Sequence, residues 1–202
     1  MPKTERDDNV EQSVMIAKEE RVLTMRIEKA NSQLLMIDIQ EKLFPHMENK
    51  EALGSKVITL LEGMKALDVP IMAARQYPKG LGDTIEELGS YFPQYYDKMT
   101  FSCCGSEKLL EELHSTGRKN IIIIGIEAHV CVLQTVIDLK TLGFTPIVVV
   151  DGISSRSRQD YEIALKRMEY EGVILTTVES ILFELCHAAG TEEFKMISRL
   201  VK

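Results

Sequence analysis

Apolar runs without polar interruption take turns along this chain with stretches in which apolar residues recur every three to four positions. The clearest run is Ile121–Ile124, closed by Gly125. Four isoleucines in a row suit a central parallel strand buried on both faces. After it, Val130, Leu133, Val136 and Ile137 fall at helical spacing, and Gly143 ends the helix. The same alternation predicts further strands over 33–38 (QLLMID), 69–74, 145–150 and 173–177, with a short one over 98–101. Helices are expected over 49–67, from Ser106 and Glu107 to His114, over 158–170, and in two final stretches, 178–186 and 191–201. Residues 76–82 are turn-rich, 83–88 suit a short helix, and 21–27 read as a short strand or an arm. Strands separated throughout by helices predict an α/β fold, an open and mostly parallel sheet with helices on both faces.

Composition narrows this to one domain. The chain has 202 residues, 45% of them hydrophobic, enough for one sizeable core and too few for two ordinary ones. The first 30 residues are charged and aperiodic and read as an extension, with the domain over 31–202. Acidic residues number 31 against 24 basic, a formal net charge of -7. That balance offers no general attraction to a phosphate backbone, so nucleic acid is not an expected partner. No apolar stretch approaches the roughly 20 residues of a membrane span, and nothing resembles a signal or transit peptide, so the expected location is the cytoplasm. The four cysteines (Cys103, Cys104, Cys131, Cys186) form no C-x-x-C pair, and the four histidines show no metal-binding spacing. No metal is therefore expected.

Candidate chemistry is sought beyond the carboxyl ends of the strands, where parallel sheets bind ligands. Asp38 ends the first strand, Lys98 lies in the third, and Cys131 follows the fourth at the expected start of its helix. A helix N-terminus favours a thiolate, which is the nucleophile. A carboxylate, an ammonium and a thiol together make a base, a charge and a nucleophile. Each also has an ordinary reading: Asp38 as a helix cap, Lys98 as a surface lysine, Cys131 as a packed thiol.

The blocks LLMIDIQEKL, QYPKGLG, DKMTFSC, GIEAHVCVLQTVIDL, DGISSRS and TTVESILFEL, in this order from about Asn31 to about Val201, resemble the isochorismatase-like cysteine hydrolases. Within them the chain is most similar to the isochorismatase domain-containing subgroup, some of whose members carry the label mitochondria-associated ribonuclease. The resemblance implies a three-layer fold with six parallel strands in the order 3-2-1-4-5-6. It also implies a catalytic triad on Asp38, Lys98 and Cys131, a non-proline cis peptide at Ile126–Glu127, and an oxyanion hole from the backbone N–H groups of Glu127 and Cys131. Nicotinamidases of this superfamily hold a metal with an Asp and two His near strand two. Here that region reads AARQYPKGLGDT, without histidine, which argues against that activity. Members that cleave isochorismate need no cysteine nucleophile.

Phe44, Gln76, Tyr77, Phe101 and His129 follow strand ends or flank the motifs and are candidates for a substrate pocket, with ordinary packing as the alternative for the aromatic rings. His129 is also an alternative base for Cys131. The expected function is hydrolysis of a C–N bond in a small amide through a thioester, without a cofactor, by a homo-oligomer. The alternatives are a ribonuclease or RNA-associated protein, and a non-catalytic scaffold of the same fold.

Overall fold

A computed structural model describes residues 26–202. Most of the expected 1–30 extension, and most of the strand or arm at 21–27, lie outside the described residues. The chain runs β1 (Ser32–Ile37), α1 (Lys50–Ala66), β2 (Ile71–Gln76), two single helical turns (Pro78–Leu81 and Glu86–Gly89), β3 (Tyr96–Lys98) and α2 (Glu107–Ser115). It continues through β4 (Asn120–Ile126), a wide helical turn at Ala128–Val132, α3 (Leu133–Thr141), β5 (Thr145–Ser154), α4 (Arg158–Tyr170), β6 (Ile174–Thr176), α5 (Val178–Cys186) and α6 (Glu192–Leu200).

The six strands form one sheet, every pair parallel, in the order β3-β2-β1-β4-β5-β6. β1 and β4 are buried at every position, because each lies mid-sheet and is covered on both faces. Alternate side chains divide between two cores. Leu34, Met36, Ile122 and Ile124 meet Val57, Leu60 and Met64 of α1 and Ile181, Leu182 and Leu185 of α5. Leu35, Ile37, Ile121 and Ile123 meet Leu109 and Leu113 of α2, Val136 and Leu139 of α3, and Met168 of α4. The unbroken apolar run seen in sequence is thus two period-two patterns, one for each face.

Three boundaries differ from expectation in ways that matter. β3 ends at Lys98 instead of beginning there. The apolar residues that suggested a strand over 98–101 face outward, Met99 at 71% and Phe101 at 54% exposure. β5 runs four residues further, to Ser154, past a register shift opposite β4. Cys131 lies at the helix start as expected, but that first turn, 128–132, is wide, with hydrogen bonds that span five residues, and regular α3 continues it from Leu133.

Gly125 sets how closely β1 and β4 approach at the end that carries the candidate chemistry. Its φ is +129°, a backbone conformation suited to glycine. A Cβ there would stand 2.1 Å from the carbonyl oxygen of Ile37 and 2.7 Å from its nitrogen. Neither backbone atom can move without parting the two central strands. Gly125→Ala is expected to lower stability by about 2–6 kcal/mol, combining a strained φ with overpacking. Urea unfolding measures this, and a midpoint equal to that of the unsubstituted chain would refute it.

Candidate active site

The strand order places the ends of β3, β2, β1 and β4 side by side. Gln76 is in register with Lys98, Ile37 with Ala74 on one side and with Gly125 on the other. Asp38 follows directly on Ile37 with a left-handed φ of 54°, and its backbone N–H donates to Ala74 O at 3.1 Å. The acid therefore turns out of the strand at the sheet edge, where the sheet topology also brings Lys98.

The side chains of Lys98 and Asp38 are both 0% exposed, and Lys98 Nζ donates to Asp38 Oδ2 at 2.7 Å. Nζ also donates to Gln76 Oε1 at 2.7 Å and to the Phe101 carbonyl at 3.0 Å, with the Thr100 carbonyl further away at 3.4 Å. An ammonium has three protons, and three acceptors stand within 3.0 Å of this one. Burial disfavours the lysine's charge, but Cys103, Asp38 and Cys131 around it outweigh that and leave its pKa raised. Burial pushes the Asp38 carboxyl above its ordinary value, against the pull of the Lys98 charge and of hydrogen bonds from Lys98, Cys131 and the Gln76 backbone.

Cys131 is 6% exposed and lies next to this pair. Its thiol is near enough to Asp38 to shift that group's titration, while Asp38 Oδ1 has no fully formed hydrogen bond among the described residues. Burial pushes the thiol up to about 12, the Asp38 charge adds to the rise, and Lys98 opposes it. Cys131 thus sits at the start of the helical segment as expected, but burial and the facing Asp38 carboxylate oppose the thiolate that a helix N-terminus favours. The turn is tied down nearby: Thr135 Oγ1 donates to Cys131 O at 2.6 Å and accepts from Cys103 N at 2.9 Å. The peptide bond Ile126–Glu127 is cis, and the Glu127 carboxylate accepts from Arg156 N at 3.2 Å and Nε at 3.0 Å.

The five pocket candidates fall in different places. Phe44 packs against the α1 core and lines a groove with Ile58, Ile85 and Leu88, away from the cluster. Gln76 is spent on structure: its Oε1 takes the ammonium and its Nε2 donates to Met99 O at 2.8 Å. His129 Nδ1 contacts Ser155 Oγ at 2.9 Å and Nε2 stands 4.0 Å from Asp160 Oδ2, which leaves the ring oriented as a brace and not as a base for the thiol. Tyr77 and Phe101 border the cluster through their backbones: Tyr77 N donates to Lys98 O at 2.9 Å, and Phe101 supplies its carbonyl to Nζ. Both residues are exposed, at 46% and 54%, as is Met99 between Lys98 and Thr100. Sequence reasoning missed Gln40, Cys103 and Thr135. Two polar residues in the strand-one motif (Asp38 and Gln40) separated by one apolar residue were a usable signal for the first of these. Among the described residues no group of three or more His, Cys, Asp or Glu side chains is placed to share a metal ion.

The isochorismatase domain model matches residues 32–180, which spans β1 to the start of α5. The chain belongs to the isochorismatase family. Isochorismatase domain-containing protein 2 of Bos taurus is 36% identical over 178 residues, covering 88% of this chain and 86% of that protein. A solved structure titled MAR1 ribonuclease, from Caenorhabditis elegans, superposes with a TM-score of 0.82 at 37% identity, over 88% of this chain and 92% of that one. The YcaC gene product of Escherichia coli, described as an octameric hydrolase of unknown specificity, shares the fold with a TM-score of 0.83 at 22% identity, over 87% and 89% of the two chains. The isochorismatase-family fold is thus a hydrolase-type fold, and the six-stranded order expected from the resemblance is the observed one. No helix among the described residues is long and apolar enough to cross a membrane.

The ion pair generates a stability prediction. In Lys98→Met, Asp38 stays buried with no opposite charge. Breaking a buried pair on one side costs about 3–5 kcal/mol, so that loss is expected at pH 7. The sign of the pH dependence follows from Asp38. Its folded pKa lies above the unfolded one, and losing Lys98 widens the gap. The folded variant then binds the extra proton, so the deficit relative to the unsubstituted chain shrinks as pH falls toward 5. Urea unfolding of both proteins at pH 7 and pH 5 checks this, and an equal deficit at both would contradict it.

Proposed function

We propose that this chain is a cysteine hydrolase acting on a C–N bond of a small amide-type substrate. The observation that carries this reading is the fully buried Lys98–Asp38 pair beside the one cysteine of the β4 turn. Asp38 and Cys131 compete for one proton next to one ammonium. With the proton on sulfur, the carboxylate opposes any thiolate. With the proton moved to Asp38, that opposition vanishes and Lys98 favours the sulfur anion. The transfer changes no net charge, so the nucleophile is generated during attack instead of standing ready.

In the proposed reaction Cys131 sulfur bonds to the carbonyl carbon as its proton passes to Asp38. The backbone N–H groups of Glu127 and Cys131 hold the oxyanion. Asp38 returns the proton to the nitrogen as the C–N bond breaks, releasing the amine and leaving a thioester. A water that gives its proton to Asp38 then releases the acid and restores the thiol. The family supports the hydrolase class, and the substrate claim rests on the site chemistry. A nuclease reading has the name of the worm relative in its favour. Against it stand the net charge of -7 and a site built from a buried neutralised pair. RNA binding that weakens with salt and survives Cys131→Ala would favour the nuclease.

Alkylation by acrylamide, a small neutral electrophile, tests the nucleophile by peptide mass spectrometry. Cys131 is expected to react first at pH 7, and faster reaction at Cys103, Cys104 or Cys186 would sink the assignment. Asp38→Asn removes the base and is expected to slow Cys131 by about 10²–10⁴-fold. In the unsubstituted chain the rate should be flat above the Asp38 titration. In the variant it should climb roughly tenfold per pH unit as the thiol itself ionises.

We also propose self-association, supported by the exposed apolar residues Tyr77, Met99 and Phe101 beside the site. Light scattering is expected to give a mass of two or more chains at micromolar concentration. A single-chain mass, unchanged by Met99→Glu, would remove this part of the reading.

A further inference from the structure

The residue that decides what Lys98 can do is Gln76. All three ammonium protons have acceptors within 3.0 Å, and only one of these acceptors, Asp38 Oδ2, is charged. The other two are neutral: the Gln76 amide and the Phe101 carbonyl. No proton is left for a substrate or an oxyanion, so the ammonium acts as a fixed charge and not as a hydrogen-bond donor in the reaction.

Gln76 is itself held at four points. Its Nε2 donates to Met99 O at 2.8 Å, its Oε1 accepts from Nζ at 2.7 Å, and both of its backbone groups engage one side chain, Gln40. Gln40 Oε1 accepts from Gln76 N at 2.8 Å, and Gln40 Nε2 donates to Gln76 O at 3.0 Å and to Gly82 O at 2.7 Å. Gln40 is 0% and Gln76 8% exposed. Two buried amides thus run from the loop at Gly82 to the ammonium, and both amide oxygens and both amide nitrogens have partners. The neutrality of residue 76 matters as much as its position. A carboxylate there would set two acids against one ammonium, and the proton shared by Asp38 and Cys131 would be held more tightly on both.

We propose that Gln76, backed by Gln40, is a positioning residue. It fixes the Lys98 ammonium and keeps the charge balance at one acid to one ammonium, which permits proton transfer from Cys131 to Asp38. This rests on the cysteine-hydrolase reading and deepens it by replacing a substrate-binding role for Gln76 with one exerted through Lys98.

The test measures Cys131 alkylation by acrylamide as a function of acrylamide concentration and pH, in the full chain and in Gln76→Met and Gln76→Glu. Gln76→Met is expected to lower the maximal rate by ~10–100-fold, the loss of one hydrogen bond to a charged group. The half-saturating acrylamide concentration should stay unchanged, since Gln76 does not touch the probe. Gln76→Glu, nearly isosteric and so a guard against a folding failure of the first variant, should move the onset of reactivity to higher pH by about one unit or more. Rates within twofold of the unsubstituted chain and an unmoved onset in both variants would overturn the proposal. So would a changed half-saturation with an unchanged maximal rate, which is the signature of a substrate-binding amide.

A second measurement does not depend on the cysteine. Nitrogen-15 NMR of the lysine ammonium groups should show one slowly exchanging signal, assigned to Lys98 by its disappearance in Lys98→Arg, and lost in Gln76→Met. If Cys131 in the unsubstituted chain resists acrylamide while this signal behaves as stated, the hydrolase reading fails and the fixing of Lys98 by Gln76 stands. If no protected ammonium is seen in the unsubstituted chain, the positioning role itself is refuted.

Discussion

A lysine ammonium with no solvent contact is the constraint around which one edge of this sheet is built. Taking such a charge out of water costs several kcal/mol even after relaxation. It persists only where an opposite charge and enough acceptors surround it. Here the acceptors come from four places in sequence: Asp38 after β1, Gln76 at the end of β2, and the carbonyls of Thr100 and Phe101 beyond β3. They meet only because β3, β2 and β1 are neighbours in that order. The chain after Lys98 must also fold back so that its carbonyls point at Nζ. Doing so turns Met99 and Phe101 outward, so their exposure is a consequence of satisfying the ammonium.

The turn that carries Cys131 is organised from the other side. Gly125 lets β4 press against the backbone of Ile37, the residue before Asp38. The turn that follows is braced at both ends. Glu127 engages Arg156 and His129 engages Ser155, both on the loop after β5, while Thr135 links the Cys131 carbonyl to the backbone of Cys103. The register shift in β5 opposite Gly125 carries that strand on to Ser154 and so brings the bracing loop within reach. The cysteine is therefore set by contacts to two elements beyond its own strand and helix. Local sequence places it at a helix start, but the carboxylate it faces comes from another strand.

What sequence could reveal divides along the same physical line. β1 and β4 were legible because full burial on both faces leaves a composition no other element needs at that length. The order of the strands came from the family resemblance, Asp38 stood out as an acid closing an apolar run, and Cys131 as a thiol between strand and helix. β3 was displaced because a three-residue edge strand, Tyr96–Lys98, carries little pattern, and the apolar Met-Thr-Phe beyond it looked more strand-like than it is. Gln76 at a strand end reads the same whether its amide meets a substrate or a buried ammonium, because the sequence does not show which acceptor Lys98 lacks. The wide turn at 128–132 was invisible for a related reason: lengthening one helical turn by a residue changes hydrogen bonding and leaves composition untouched.

The charge count of the cluster links these observations to the proposed chemistry. One carboxylate, one ammonium and one neutral thiol sum to zero, which is the least costly state for a buried site. A proton moved from Cys131 to Asp38 keeps the sum at zero. A thiolate formed by losing that proton to solvent would make the cluster negative, and burial first, then the Asp38 charge, raise the thiol's pKa against it. The proposed reaction, in which one proton cycles between sulfur, carboxylate and leaving group, keeps to that least costly charge state throughout. A saturated Lys98 fits the same scheme, since a charge that donates nothing to substrate can still favour an anion on carboxylate or sulfur.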